Sequence, residues 1–477
     1  MLPLVCFGQI TWTKRYTGQY PPTGLSGWPN PAYNGYLTDR FDPLSGTTLH
    51  YGTRGYSGTV SVTQNSNVVN WVSGDKFSTN WTSSVCASNG CEIWLGSQTA
   101  CSGNRCYVSS ASSDTQLTLS ANYTLTSDSN HGYAANATGI YSTDFFSWND
   151  SSYTWVRIGG TGSLQAACVL DTPTMPGDRH PDGQFVIDTA RNRLYMWGGP
   201  NQNCSGPDDG DLPTRKDLYY MTLNTNPASN TLTRIYPSRF PANLKCATAV
   251  YSPDDDVIYQ YGGCDDVSNR HEIYCVAAGS PSSAQQTAGC TTANTWNQIS
   301  TTGQPTAYEY TGMVYDSINR KVILFGGSAT GTGRNETWAY DIPTKTWTQR
   351  SSANGPPVPG VSPPQPGIAF NPNDGKVYVH HFGATPGDYR FNQATNTWEN
   401  LGNLGGPTFG QTMTFHPSTN RFSAFGLGGG VSEMWEGQLL NVTSGQFRIL
   451  GSWPSGNAKW VEVAGIVPSL RRVERRR

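Results

Sequence analysis

The stretch Gly312-Met-Val-Tyr-Asp-Ser-Ile-Asn-Arg320, Val322-Ile-Leu-Phe-Gly-Gly327 and Thr337-Trp-Ala-Tyr-Asp-Ile-Pro-Thr-Lys-Thr-Trp-Thr348 decides the fold. Short runs of β-branched and aromatic residues are separated by Asn, Asp, Ser, Pro and Gly, the punctuation of strands joined by turns. The stretch reads as a four-stranded meander in which the first strand ends in a polar turn and the second ends in an aromatic and two glycines. The second strand returns as Leu194-Tyr-Met-Trp-Gly-Gly199, Val257-Ile-Tyr-Gln-Tyr-Gly-Gly263, Val377-Tyr-Val-His-His-Phe-Gly383 and Phe422-Ser-Ala-Phe-Gly426. The first returns as Gly367-Ile-Ala-Phe-Asn-Pro-Asn-Asp-Gly375, and the last pair as Tyr389-Arg-Phe-Asn-Gln-Ala-Thr-Asn-Thr-Trp-Glu399. Glycines 198, 262, 326, 383 and 426 stand 64, 64, 57 and 43 residues apart, periods that mean stacked β units. A single meander cannot bury both of its faces, so neighbouring units must cover one another.

Composition agrees with an all-β chain. Of 477 residues, 53 are Gly and 31 Pro, aromatics reach 12% and charged residues only 13%, which suits strands and turns better than helices. A net charge of -2 gives no basic footprint for phosphate backbones, so nucleic acid is not expected as a partner. No apolar run approaches the eighteen or so residues of a membrane span. Residues 1–9, Met1-Leu-Pro-Leu-Val-Cys-Phe-Gly-Gln9, resemble the end of a secretory signal peptide. The chain has eleven cysteines, and setting aside Cys6 leaves an even number, which favours an oxidising, secreted or periplasmic setting.

A glycine pair, an aromatic, and a Trp a few residues further on resemble the kelch repeat, which builds β-propellers, and the likeness runs from Asp178 to Leu450. The resemblance implies a propeller of secreted bacterial type with about six four-stranded blades. In the first blade, Tyr36–Gly52 supplies one strand pair, and Tyr141–Trp148 with Tyr153–Ile158 supplies the other. The propeller is expected over 10–55 and 132–452, a small disulfide-stapled β insertion over 56–131, and a tail over 453–477 that reads as the start of a further domain. Two segments, Ile10–Tyr16 and Gln446–Leu450, compete for the outer strand of the last blade. In the insertion, Cys86 pairs with Cys91 and Cys101 with Cys106, or the four are nested. Cys275 and Cys290 are expected to tie a long hairpin, and Cys168, Cys204, Cys246 and Cys264 to stiffen the loops.

In such blades the second-to-third and fourth-to-first loops share one face of the disk, and ligands are expected there. His50, His180, His271, His380 and His381 map to it. The candidate catalytic residues are His380, His381 and His180; the candidate ligand-binding residues are Arg179, His180, Asp265, Asp266, His271, Tyr389 and Arg390. His380 has two readings, an imidazole aimed at the central channel or a packing residue standing where another repeat has Phe325. Asp208-Asp-Gly-Asp211 and Asp265-Asp266 match no complete calcium loop, so no cofactor is predicted, with a calcium or transition-metal ion as the open alternative. Acyl- and phosphoryl-transfer motifs are absent. The leading expectation is a secreted propeller that binds a glycan or a cell-surface protein through its loop face. The alternative is a carbohydrate-active enzyme, a lyase or hydrolase with a His-lined channel mouth. A copper oxidase resembling galactose oxidase is the weakest form, because His50-Tyr51 reverses the tandem Tyr-His that such a site needs.

Overall fold

The computed structural model describes residues 9–18, 38–51, 56–74, 76–77, 91–95, 100–102, 106–136, 145–149, 154–159, 183–198, 218–226, 229–241, 246–263, 272–277, 280–306, 308–329, 332–351, 355–357, 366–382, 386–402, 405–407, 410–428 and 431–439. Among them are six four-stranded antiparallel sheets, numbered here in chain order. Sheet 1 holds Thr38–Asp42, Thr47–Tyr51, Phe145–Asn149 and Thr154–Gly159. Sheet 2 holds Phe185–Asp188, Arg193–Trp197, Leu218–Thr222 and Thr231–Ile235. Sheet 3 holds Thr248–Ser252, Val257–Tyr261, Ile273–Val276 and Asn297–Ile299. Sheet 4 holds Gly312–Asp316, Lys321–Phe325, Thr337–Asp341 and Thr346–Ser351. Sheet 5 holds Gly367–Asn371, Lys376–His381, Gly387–Asn392 and Thr397–Gly402. Sheet 6 joins Gly410–His416, Arg421–Gly428 and Val431–Leu439 to the N-terminal strand Ile10–Gly18.

The first turn of every sheet is built the same way. A polar side chain closes each first strand, and in sheets 1, 2, 4 and 5 Asp42, Asp188, Asp316 and Asn371 accept the backbone N–H two residues on, at Leu44, Ala190, Ile318 and Asn373; such Asx turns mimic a backbone turn. The residue that opens the second strand's side of the loop is left-handed in all six: Gly46, Asn192, Asp256, Arg320, Gly375 and Asn420, with φ between 51° and 70°. This is the loop chemistry of tight four-residue hairpins. The first strands are neighbours in the order of sheets 1 to 6, and that of sheet 6 lies beside that of sheet 1.

Each pair of adjacent sheets from 1 to 6 encloses its own apolar cluster. Both faces of a strand are therefore covered, which is why Val257–Tyr261 is buried at every position and reads as a continuous apolar run. A repeated aromatic lock joins the sheets. A Trp in the fourth strand, or just before it, packs on the second-strand aromatic of the sheet before: Trp296 on Trp197 at 4.9 Å between ring centroids, Trp347 on Tyr261 at 5.1 Å, Trp398 on Phe325 at 5.0 Å. In sheet 6 the same place is taken by Trp12 of the N-terminal strand, 5.1 Å from the ring of His380. Ile10–Gly18 thus takes the outer position of the last sheet, while its competitor, Gln446–Leu450, lies outside the described residues.

The insertion is a closed six-stranded barrel in the order Tyr56–Val62, Val68–Gly74, Gln116–Leu119, Cys106–Ser113, Cys91–Trp94, Asp128–Asn136. Its last strand runs to Asn136, past the boundary expected at His131. The barrel fills with its own core, including Val60, Val69, Leu117, Leu119 and Tyr133, and carries the disulfide Cys101–Cys106. It interrupts sheet 1 between strands that still pair directly, Tyr51 opposite Phe145. One element departs from the all-β expectation: a short helix, Ser283–Ala288, inside the hairpin that Cys275–Cys290 ties. Ser282 and Gln285 form a capping box at its start, the sequence signature of a helix N-terminus.

Candidate functional site

Residues of the six first strands line one cavity of about 360 Å³. Residues just past those strands ring one mouth at equivalent positions: Pro43, Thr189, Pro253, Ser317, Pro372 and Pro417. This is the face of the short turns, and it is tied together from sheet to sheet. Asp254, Asp255 and Asp256, consecutive in one turn, accept from Tyr315, Arg320 and Arg191 of the neighbouring sheets on either side. The hydrogen bonds from Arg191 and Tyr251 hold the Asp256 carboxyl below its usual range despite partial burial, and donating to the Asp256 and Asp188 carboxylates raises Arg191 further. Sheets 5 and 6 are joined by Asn373 Nδ2 to Pro417 O at 3.0 Å, and sheets 6 and 1 by His416 Nε2 with Thr48 Oγ1 at 3.2 Å. The acidic run Asp254–Asp256 is thus a strap between sheets, a role its residue types alone do not announce.

The second-to-third strand connections begin at the opposite ends of the strands, and the barrel lies within that of sheet 1, between its second and third strands. Just before the first strand of sheet 4 lies Tyr308-Glu309-Tyr310. Tyr308 is buried and donates to Glu336 Oε2 at 2.6 Å, and burial together with that carboxylate pushes its hydroxyl up to about 12. Burial also raises the half-buried Glu309 carboxyl. Tyr310 and Cys246, joined by a backbone hydrogen bond of 3.0 Å, both adopt left-handed backbone with φ of 53° and 55°. Such strain in bulky residues gathers at functional sites. No motif marks Glu309 and Tyr310; their one signal in the sequence is a carboxylate between two tyrosines just before an inner strand.

Of the five histidines expected on one face, His180 and His271 lie outside the described residues, and His380 and His381 are buried. His380 is fully buried at the end of a second strand, its Nδ1 2.8 Å from Asp388 Oδ1 and its Nε2 2.8 Å from the Pro407 carbonyl, with its ring between Trp12 and Phe382. It stands where sheet 4 has Phe325 and does the same packing, so it does not line the channel as the catalytic reading requires. Second strands lie one position out from the axis, and only first strands, with the turns beside them, line the channel. His381 is likewise buried and absent from the channel wall. His416 is buried at the turn face and His131 sits in the barrel. Tyr389, expected as an exposed aromatic, packs in the cluster between sheets 4 and 5, where burial raises its hydroxyl. Arg390 is engaged by Glu399 on the adjacent strand, Nε to Oε2 2.9 Å. Arg179, His180, Asp265, Asp266 and His271 lie outside the described residues, as do Cys86, Cys168, Cys204 and Cys264. Cys246 is disulfide-bonded. Among the described residues no three His, Cys, Asp or Glu side chains gather to hold a metal, and no helix is long and apolar enough to cross a membrane.

A family model, the KLHDC2/KLHL20/DRC7 Kelch-repeats domain, matches residues 185–428, from sheet 2 into sheet 6 and just over half of the chain. The chain belongs to the kelch-repeat family. No curated protein matches it. Kelch-repeat domains bind other proteins, and here the family's repeat explains specific geometry. In the kelch glycine pair of sheet 4, Gly326 and Gly327 have φ of 69° and 96°. A Cβ on Gly327 would stand 2.5 Å from Thr311 Cγ2 and 2.8 Å from Glu309 O, so the second glycine lets the strand leave beside the loop that carries Glu309.

Proposed function

We propose that this kelch chain is a closed six-bladed propeller, exported to an oxidising compartment, that binds a protein ligand on the face opposite its short turns. The observation that carries this reading is the asymmetry of the two faces. One face is a ring of tight turns hydrogen-bonded from sheet to sheet; the other receives the longer connections, the barrel, the strained Cys246 and Tyr310, and the Glu309 carboxyl raised by burial. Binding residues concentrate on loops held by a rigid scaffold. The disulfides Cys101–Cys106 and Cys275–Cys290 support the oxidising compartment.

The test is to probe protein and glycan arrays with the purified chain and to measure its ligands by biolayer interferometry against variants of each face. Arg179→Ala, His180→Ala and Glu309→Gln are expected to weaken a protein ligand tenfold or more, and Asp374→Asn on the turn face to leave it unchanged. Affinity that resists all three loop variants but falls with the turn-face change reverses the assignment of faces. Retention of glycans alone replaces the protein ligand with a carbohydrate.

A further inference from the structure

We draw no further inference here: the strongest candidate, the cavity of about 360 Å³ lined by residues of the six first strands, carries none, because Arg40, the one charged side chain among its described lining residues, is already hydrogen-bonded to the Gly183 and Ala249 carbonyls, and nothing in the structure shows what occupies the space.

Discussion

Replacing Trp12 should destabilise the whole disk, although it lies near the start of the chain and its partners come from the far end. Its indole is 7% exposed, packs 5.1 Å from His380, and donates Nε1–H to Asp388 Oδ2 at 2.9 Å. Trp12→Phe keeps most of the ring but leaves a carboxylate that is 1% exposed short of a donor, a loss of about 1–3 kcal/mol. Trp12→Ala also removes the packing, and large-to-small changes of this kind cost about 3–5 kcal/mol. Trp398→Ala is the internal control. Trp398 makes the same lock between sheets 4 and 5, 5.0 Å from Phe325 with its indole donating to Thr337 Oγ1 at 2.8 Å, and both of its strands belong to the uninterrupted repeat. Guanidinium unfolding followed by tryptophan fluorescence should therefore give similar losses for Trp12→Ala and Trp398→Ala. At about 2 °C per kcal/mol for a large chain, each should lower the melting temperature by roughly 6–10 °C. Trp12→Phe combined with Asp388→Asn should show a coupling of at least about 0.5 kcal/mol, because each change removes the other's partner. A Trp12→Ala loss under about 1 kcal/mol beside a full loss for Trp398→Ala would refute the placement of Ile10–Gly18 as the outer strand of sheet 6, as would an unchanged midpoint for a chain that begins after Gly18.

His416 makes the fold acid-sensitive: burial and the neighbouring Arg421 lower its imidazole from 6.5 to about 3. The folded state holds it neutral while the unfolded chain protonates it, so stability is complete above pH 6.5 and falls as the pH drops towards 3, at about 1.4 kcal/mol per unit. By pH 4.5 the loss should be about 3 kcal/mol, and His416→Gln should flatten that limb of a melting-temperature profile; an equally steep profile in the variant would place the sensitivity elsewhere. The glycine pair gives an ordered prediction. Gly326→Ala meets nothing closer than 3.5 Å and should cost only the left-handed backbone, about 1–2 kcal/mol, whereas Gly327→Ala adds the clash with Thr311 and should cost about 3 kcal/mol or more by denaturant unfolding; equal losses would contradict the close approach. Opening Cys101–Cys106 with a Cys101→Ser, Cys106→Ser double change releases a loop of five residues, worth about 2 kcal/mol on chain entropy. Hydrogen exchange should rise in Val68–Gly74 and Gln116–Leu119 of the barrel while the strands of sheets 3 to 5 stay protected, and a general rise across those sheets would show that barrel and disk unfold as one.

How much of this was readable in the sequence follows from what a meander stores locally. Strands that pair with their sequence neighbours leave a period, and strands covered on both faces leave apolar runs, so Val257–Tyr261 and Val322–Phe325 declared themselves as stacked units. The closing strand did not, because its partner Val431–Leu439 lies at the other end of the chain and no local pattern records so distant a pairing. One usable signal was present: Thr-Trp at 11–12 matches Thr-Trp at 295–296, 346–347 and 397–398, and in all four the Trp forms the same lock. The packing reading of His380 prevails for a related reason. Residue type suggested chemistry, but position in the sheet decided exposure: His380 occupies a second-strand slot that in sheets 2 to 5 packs against the next sheet's Trp, and an imidazole there satisfies both nitrogens internally. The lining of the cavity between the first strands carries no motif at all. It depends on which strand is innermost and on how the sheets meet, so it becomes visible only when residues from the two ends of the chain are brought side by side.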